Sequence, residues 1–250
     1  NNNYEQPGVH VAPYPYCFRC PVHQATPDKY HLNNCCNDPI DQVELLLKQQ
    51  TAPKDTAAIL IETVLGEGGY VPPPKNFFPR LKEICNKNDI LLIVDEVQSG
   101  FGRTGKMFAI EHYGVEPDVI VMAKGIATIA TLEIFEEEKL LDNVNARSSQ
   151  LFSLLDKKLK PILPQEVGVN IRGLGLMIGI EFTGVPYGFA ASVAKESLEQ
   201  NLIILTASIY ETLRLIPPLN ITEEEIDDGV ERLCKALSAV VERLVKEGKL

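Results

Sequence analysis

The chain has 250 residues, of which 45% are hydrophobic, with a formal net charge of −10 and a sequence pI near 5.0. This composition allows a substantial core, arranged as one large or two modest domains. It excludes a general nucleic-acid binder, because neutralising phosphates requires a basic face. No apolar run approaches the roughly 20 residues that span a bilayer, and the Asn-rich start lacks signal-peptide features. We expect a cytoplasmic protein that acts on small molecules.

The first 40 residues, rich in Asn, Pro, Tyr and Cys, predict a loop with a short strand. Thiols and imidazoles are clustered in its second part, at Cys17, Cys20, His23, His31, Cys35 and Cys36. These side chains are zinc ligands elsewhere, but adjacent cysteines bind one ion poorly and no second C-x-x-C follows. The pattern therefore favours incidental thiols, and no metal is expected.

Beyond residue 40, continuous apolar runs alternate with amphipathic segments. Asp41 is placed to cap a first helix, and helices are also predicted at 77–88 and 106–114. The runs that predict strands are 57–61, 90–94 and 118–123. Strands that are apolar throughout and separated by helices are typical of a parallel sheet buried on both faces.

The second half of the chain has a different character. A long charged helix is predicted at about 131–160, followed by glycine-punctuated strand material at 171–182. A helix, short strands and a last helix capped by Thr222 complete an α+β unit. We therefore expect a large domain at 1–150 and a small C-terminal domain at 151–250.

Polar side chains end the three predicted parallel strands: Glu62, Asp95 and Lys124. In open α/β sheets, ligands lie beyond the carboxyl ends of the strands. A lysine in apolar surroundings suits a covalent bond to an aldehyde, and a neighbouring aspartate suits a protonated pyridine nitrogen, as pyridoxal phosphate requires. Gln98 could donate to the ring hydroxyl. Spacing alone leaves a structural ion pair between Asp95 and Lys124 equally open.

Gly100, Gly102 and Gly105 spell G-x-G-x-x-G, the dinucleotide fingerprint. That fingerprint requires its first glycine at the strand end and an acid at the end of the next strand. Here several residues separate the strand from Gly100, and the next strand ends in Lys124. The sequence does not favour a dinucleotide site.

The stretch DEVQSGFGRTGKMFAIEHYGVEPDVIVMAKGIA, residues 95–127, resembles the core signature of class III pyridoxal-phosphate aminotransferases. Three more segments resemble family motifs in the family's order: IETVLGEGGYVPPP, RGLGLMIGIEF and LRLIPPLNIT. Among members, the chain is most similar to 4-aminobutyrate aminotransferases. The resemblance implies an α/β, fold-type-I transferase with a mostly parallel large domain, an α+β small domain and a homodimeric assembly.

The resemblance also implies roles for individual residues. Lys124 would be the lysine that bonds to pyridoxal 5′-phosphate, Asp95 the partner of its ring nitrogen and Gln98 the donor to its ring hydroxyl. Val97 would pack on the cofactor face. Thr63 stands where the family usually has proline, a departure that removes no chemical group.

The substrate side follows in the same way. Glu67 and Arg214 would form a gate, in which the acid pairs with the arginine for an ω-amine and releases it for an α-carboxylate. Glu62 would support the polar network. The implied reaction is ping-pong transfer from an ω-amino acid, 4-aminobutyrate first, to 2-oxoglutarate.

Two expected family segments have no match in the sequence. The cofactor-phosphate turn should precede residue 1, and a glycine-rich stretch should separate Ala127 from Thr128. We expect a longer chain of which these residues are a part, rather than a truncated enzyme, and a mitochondrial location stays open beside the cytoplasmic one. Ornithine-type enzymes, aminomutases, decarboxylases and a cofactor-poor structural subunit are the alternatives.

Overall fold

The structure, a computed structural model, describes residues 8–25, 36–123, 129–207 and 209–250. The α-helices in these ranges are α1 Pro21–Ala25, α2 Asp38–Gln49, α3 Phe77–Asn88, α4 Ile129–Glu137, α5 Leu140–Leu159, α6 Phe189–Glu199 and α7 Glu223–Lys246. The strands are β1 Ala58–Glu62, β2 Leu91–Asp95, β3 Val119–Val121, β4 Gly168–Leu174, β5 Met177–Thr183, β6 Leu205–Ala207 and β7 Thr212–Leu215. Within the same ranges, no helix combines the length and apolarity that crossing a bilayer requires.

The chain forms two compact units. The first comprises residues 1–63, 73–96 and 110–121, and the second comprises residues 64–72, 97–109 and 122–250. Each unit is therefore assembled from separate stretches of the chain. The predicted division at residue 150, which lies inside α5, rests on the change in sequence pattern and stays a prediction.

The first unit contains a parallel sheet in the order β1-β2-β3, which confirms the predicted parallel arrangement. Helix α3 covers 77–88 as predicted. Helix α2, in contrast, begins at Asp38 after an Asn37 cap, so the predicted Asp41 cap is wrong. Pro39 explains the early start, because its fixed φ favours the first turn of a helix.

One face of this sheet is well covered and the other is not. Leu92 and Val94 are fully buried, and α3 packs against β2. On the opposite face, Leu60 and Val119 lie in register with Ile93, and Leu60 remains 66% exposed. The prediction of burial on both faces is therefore wrong for the described residues. An apolar run predicts a strand, but it does not identify what covers each face.

The second unit contains an antiparallel sheet in the order β4-β5-β7-β6. Ile178, Ile180 and Phe182 of β5 belong to the core that this sheet forms with α5, α6 and α7. Met177, Gly179 and Glu181 alternate with them and face the other side. One face of the sheet is therefore covered by helices, and the other face is covered by other segments of the same unit.

Two predicted elements of this unit are divided in the structure. The predicted helix at 131–160 is two helices, α4 and α5, because Lys139 between them adopts a left-handed conformation with φ 49°. The predicted strand material at 171–182 is a tight hairpin, with Leu174 opposite Met177 and Gly175 at φ 56°. The predicted Thr222 capping box is confirmed at the start of α7.

Candidate active site

Two carboxylates lie side by side at the carboxyl end of the parallel sheet. Glu62 and Asp95 are register partners on β1 and β2, and both are half-buried. Register partners on neighbouring parallel strands point to the same face of the sheet, and such strands are about 4.8 Å apart. The two carboxylate side chains therefore lie next to each other on one face. The expected meeting of Glu62 and Asp95 is therefore present. Lys124 lies outside the described residues, so its position stays a prediction, as does an ion pair with Asp95.

The acid after Asp95 has a different setting. Glu96 is fully buried, and its Oε1 accepts hydrogen bonds from the Thr63 hydroxyl at 2.9 Å and the Ile110 N–H at 2.8 Å. The Thr63 N–H also donates to the Asp95 carbonyl at 3.4 Å. A proline at position 63 could make neither bond, so this departure from the family pattern adds two contacts.

Glu96 was not predicted to have a role, although the sequence holds a signal for it. Successive residues of an extended chain point to opposite sides, so two consecutive acids at a strand end cannot serve one ligand. Glu96 accepts hydrogen bonds from Thr63 and Ile110. Of the two consecutive acids, Asp95 is therefore the one that lies at the edge of the sheet beside Glu62.

The second unit brings three predicted site residues together. Glu67 Oε1 accepts a hydrogen bond from Arg214 Nη1 at 2.7 Å and another from Gln98 Nε2 at 3.4 Å. The Glu67 side chain is 71% exposed, whereas that of Arg214 is 17% exposed. The acid can therefore move into water at little cost, while the arginine is held by its surroundings. Val97, which precedes Gln98 in the sequence, is half-buried.

Glu67 lies on a tight hairpin, residues 65–71. Leu65 and Val71 form an antiparallel bridge, and the Gly66 carbonyl accepts hydrogen bonds from the Gly69 and Tyr70 N–H groups. Tyr70 of this hairpin and the preceding Val64 belong to a small buried cluster with Met177 of β5. The three glycines of the pattern G-E-G-G suit such a tight turn.

Tyr70 is a residue of this hairpin that the sequence analysis did not select. It is 2% exposed, and its ring centroid lies 6.0 Å from Arg214 Cζ. Burial raises the pKa of the Tyr70 phenol above its ordinary value, and the Arg214 charge opposes that rise. An aromatic side chain directly after two glycines was the available signal.

Arg172 is a second residue that the sequence analysis did not select. Its Nε and Nη2 donate to the Gly69 carbonyl at 3.1 and 2.7 Å, and its Nη1 pairs with Glu181 at 2.8 Å. The Glu181 side chain is fully buried. Removing one member of such a buried ion pair costs about 3–5 kcal/mol, so Glu181 holds the Arg172 side chain firmly in place. Arg172 in turn fixes the hairpin to the sheet through the Gly69 carbonyl.

The glycine-spaced loop and the cysteines do not form a further site among the described residues. Gly102 and Gly105 have φ values of 78° and 87° within tight turns, as loop-forming glycines do. Cys20 and Cys36 bring their sulfurs to 3.6 Å. No group of three or more metal-ligating side chains occurs in the described ranges, and His31 and Cys35 lie outside them.

Comparison with known proteins identifies the family. The sequence model described as “Aminotransferase class-III” matches residues 2–128 and 126–237. The chain belongs to the class-III aminotransferase family. Similar proteins are an acetylornithine aminotransferase from Synechocystis, 38% identical over 74% of this chain and 51% of the relative, and a leucine/methionine racemase from Thermococcus litoralis, 32% identical over 97% and 62%.

Solved structures agree with this membership. A transaminase from the marine bacterium Virgibacillus superimposes with a TM-score of 0.78 at 27% identity, covering 86% of this class-III chain and 60% of that one. An omega transaminase from Pseudomonas jessenii reaches a TM-score of 0.84 at 24% identity, over 96% and 62% of the two chains, and shows the shared fold. The predicted fold-type-I α/β class is confirmed.

This class-III chain spans between about half and just under two-thirds of the length of these curated relatives. The two segments matched by the family model meet at residues 126–128, beside the predicted discontinuity after Ala127. The alignment with the racemase extends over 285 residues, more than the 250 of this chain. The racemase therefore contains residues with no counterpart here.

Class-III aminotransferases use pyridoxal 5′-phosphate, and part of the described structure fits that cofactor. Two half-buried carboxylates in register, Glu62 and Asp95, create an acidic edge at the end of the parallel sheet. Such an edge stabilises a protonated ring nitrogen. The two carboxylates therefore fit the protonated ring of the cofactor.

Proposed function

We propose that this chain carries the active site of a pyridoxal-phosphate-dependent transaminase. The reaction is ping-pong transfer of an amino group from an ω-amino acid to 2-oxoglutarate. The observation that carries the proposal is the 2.7 Å contact between Arg214 and the exposed Glu67 in a class-III chain. An arginine with a displaceable acid can accept substrates with and without a carboxylate beside the reacting carbon.

The proposed cofactor residues are Asp95, Val97, Gln98 and Lys124. When bound, pyridoxal phosphate supplies an aldehyde that takes up the amino group and a protonated ring that withdraws electrons. Asp95 would hold the proton on the ring nitrogen, and Gln98 would donate to the ring hydroxyl. Lys124 would bond to the aldehyde carbon and then, as a free amine, carry the proton to and from the reacting carbon.

The proposed substrate residues are Glu62, Glu67 and Arg214. With an ω-amine bound, Glu67 would neutralise Arg214, as it does in this structure. With glutamate or 2-oxoglutarate bound, Glu67 would turn into solvent and Arg214 would take the α-carboxylate through parallel N–H donors. Glu62 would support the polar network from the end of β1.

The donor belongs to the ω-amine class, of which 4-aminobutyrate is one member. Relatives of this chain are named for acetylornithine, 5-aminovalerate and putrescine, at identities of 38%, 35% and 34%. Each of these compounds presents a terminal amine. We also propose a homodimer, and a cytoplasmic or mitochondrial location, on the family resemblance alone.

A second candidate is racemisation of an α-amino acid. It is favoured by the alignment with the leucine/methionine racemase, which covers 97% of this chain. A racemase requires no keto-acid acceptor, whereas a transaminase stops after one half-reaction without it. Product analysis with and without 2-oxoglutarate separates the two, because only racemisation inverts the substrate when no acceptor is present.

The test of the proposed function is borohydride reduction of the protein with bound cofactor, followed by peptide mapping. We expect the reduced cofactor to label Lys124 and the label to disappear in Lys124→Ala. Lys106→Ala, which changes an exposed lysine elsewhere in the chain, is the control and should keep the label. Label at another lysine, or none in the wild-type protein, would overturn the assignment.

A further inference from the structure

A row of three residues crosses the sheet of the second unit. Arg172 on β4 lies opposite Gly179 on β5, which lies opposite Arg214 on β7. Directly opposite residues in antiparallel pairs share a face, so the three positions lie side by side. The hairpin of residues 65–71 sits on this row: Arg172 holds its Gly69 carbonyl, and Arg214 pairs with its Glu67.

The backbone of the hairpin is fixed at Gly69. Arg172 donates two hydrogen bonds to this carbonyl and is itself held by the buried Glu181. On the other side, a Cβ at Gly179 would lie only 2.5 Å from the Gly69 oxygen, which shows how closely hairpin and strand approach. The residue that follows Gly69 therefore has little freedom to move.

That residue is Tyr70, and its conformation is strained. Its φ of 55° lies in the left-handed region, which is unfavourable for a bulky side chain. Such strain persists where the surroundings over-determine the conformation, and it is concentrated at functional sites. Here it directs the ring into the buried space beside Arg214, 6.0 Å from Cζ.

Arg214 depends on this contact for part of its support. Its Nη1 binds the exposed Glu67, while its Nε is buried with no hydrogen-bond partner among the residues the structure describes. The Tyr70 ring lies at cation–π distance from the guanidinium, with its centroid 6.0 Å from Cζ. When Glu67 moves into solvent, Tyr70 remains.

We propose that Tyr70 is a positioning residue for Arg214. It holds the guanidinium in place while Glu67 exchanges with the carboxylate of a substrate, and so it determines affinity for α-carboxylates. This role rests on the proposed function, because it requires Arg214 to bind a carboxylate. It adds to the Glu67–Arg214 gate a buried element that does not move when the gate opens.

The test is calorimetric binding of glutarate, a dicarboxylate without a reactive carbonyl, to the protein as purified. Tyr70→Leu should weaken binding about tenfold, because the aromatic ring that faces the guanidinium is lost. Tyr70→Phe, which keeps the ring, should change the Kd less than twofold. Thermal unfolding of each variant shows whether the fold is intact.

A matched control removes a buried aromatic ring elsewhere. Tyr113 is buried, and its hydroxyl donates to the Pro73 carbonyl at 3.2 Å in the first unit. Tyr113→Leu should leave the glutarate Kd unchanged. A double variant adds a second readout: in an Arg214→Lys background, Tyr70→Leu should change the Kd less than twofold, since the planar group that the ring positions is gone.

The outcomes separate the two proposals. If Arg214→Lys weakens glutarate binding but Tyr70→Leu does not, the positioning role is wrong and the proposed function stands. An equal loss in Tyr113→Leu would also overturn the positioning role, because the effect would then be general. If the wild-type protein binds no glutarate, the carboxylate role of Arg214 fails, and the role of Tyr70 fails with it.

Discussion

Arg214 and Arg147 occupy similar local settings, although only one of them is assigned to the proposed site. Their side chains are 17% and 16% exposed, and each pairs with a largely exposed glutamate, Glu67 or Glu223. Arg147 joins α5 to the start of α7, whereas Arg214 lies on β7 beneath the hairpin. Surface ion pairs of this kind contribute at most about 1 kcal/mol to stability. Any large effect of Arg214 must therefore come from a ligand.

Replacing each arginine by methionine tests this distinction. Arg214→Met should raise the KM for 2-oxoglutarate about 30- to 100-fold, the equivalent of losing a charge-assisted bidentate contact of about 2–3 kcal/mol. The KM for a diamine donor should change little, because such a donor carries no carboxylate. Arg147→Met should leave both constants unchanged in steady-state assays. Equal losses for donor and acceptor in Arg214→Met would contradict the gate.

At the scale of elements, the hairpin of residues 65–71 is docked through one glycine. Gly179 lies in the middle of β5, where a side chain would meet the Gly69 carbonyl. Strand glycines often mark such close backbone approach. Gly229 provides a contrast, since it lies within α7 and an added Cβ there would meet no atom within 4 Å. The same substitution should therefore have opposite effects at the two positions.

Gly179→Ala should lower the free energy of unfolding by about 1–3 kcal/mol, because the hairpin must shift to relieve the overlap. Gly229→Ala should raise it by about 0.5–1 kcal/mol, the usual gain from replacing glycine inside a helix. Urea unfolding of both variants measures the difference. A neutral Gly179→Ala would show that the hairpin is not tightly held, and would weaken the case for Tyr70.

At the scale of the whole molecule, buried groups with raised pKa values set the stability at alkaline pH. Burial raises the pKa of the Cys85 thiol to about 11 from the 9.0 expected of an exposed thiol. Burial also raises the pKa of Tyr113 and Tyr70. Because their folded-state pKa values exceed the unfolded values, their contribution is present below the unfolded pKa and is lost as pH rises toward the folded one.

We therefore expect the free energy of unfolding to fall as pH rises from 9 to 11, the window given by the Cys85 shift. In Cys85→Ala the decline over this window should be shallower, since the thiol no longer ionises on unfolding. Urea unfolding at several alkaline pH values measures both slopes. Identical slopes in the two proteins would rule out Cys85 as a contributor.

Local patterns were sufficient to predict much of the fold. Apolar runs predicted the parallel strands, and the Thr222 capping box predicted the start of α7, because these signals depend on neighbours within a few residues. Family motifs likewise indicated Glu67, Gln98 and Arg214, which the structure brings together. The left-handed break at Lys139 was missed, because a charged residue in a charged helix carries no strong local signal.

By itself, then, the sequence determined the α/β class, the order of the elements and the acids at the ends of the parallel strands. Tertiary structure decided which faces are covered and which side chains support the gate. Leu60 and Leu92 are both leucines of predicted strands, yet one is exposed and the other is buried. Arg172 and Tyr70 acquire their roles because β4, β5 and β7 place distant residues in one row, and no local pattern contains that information.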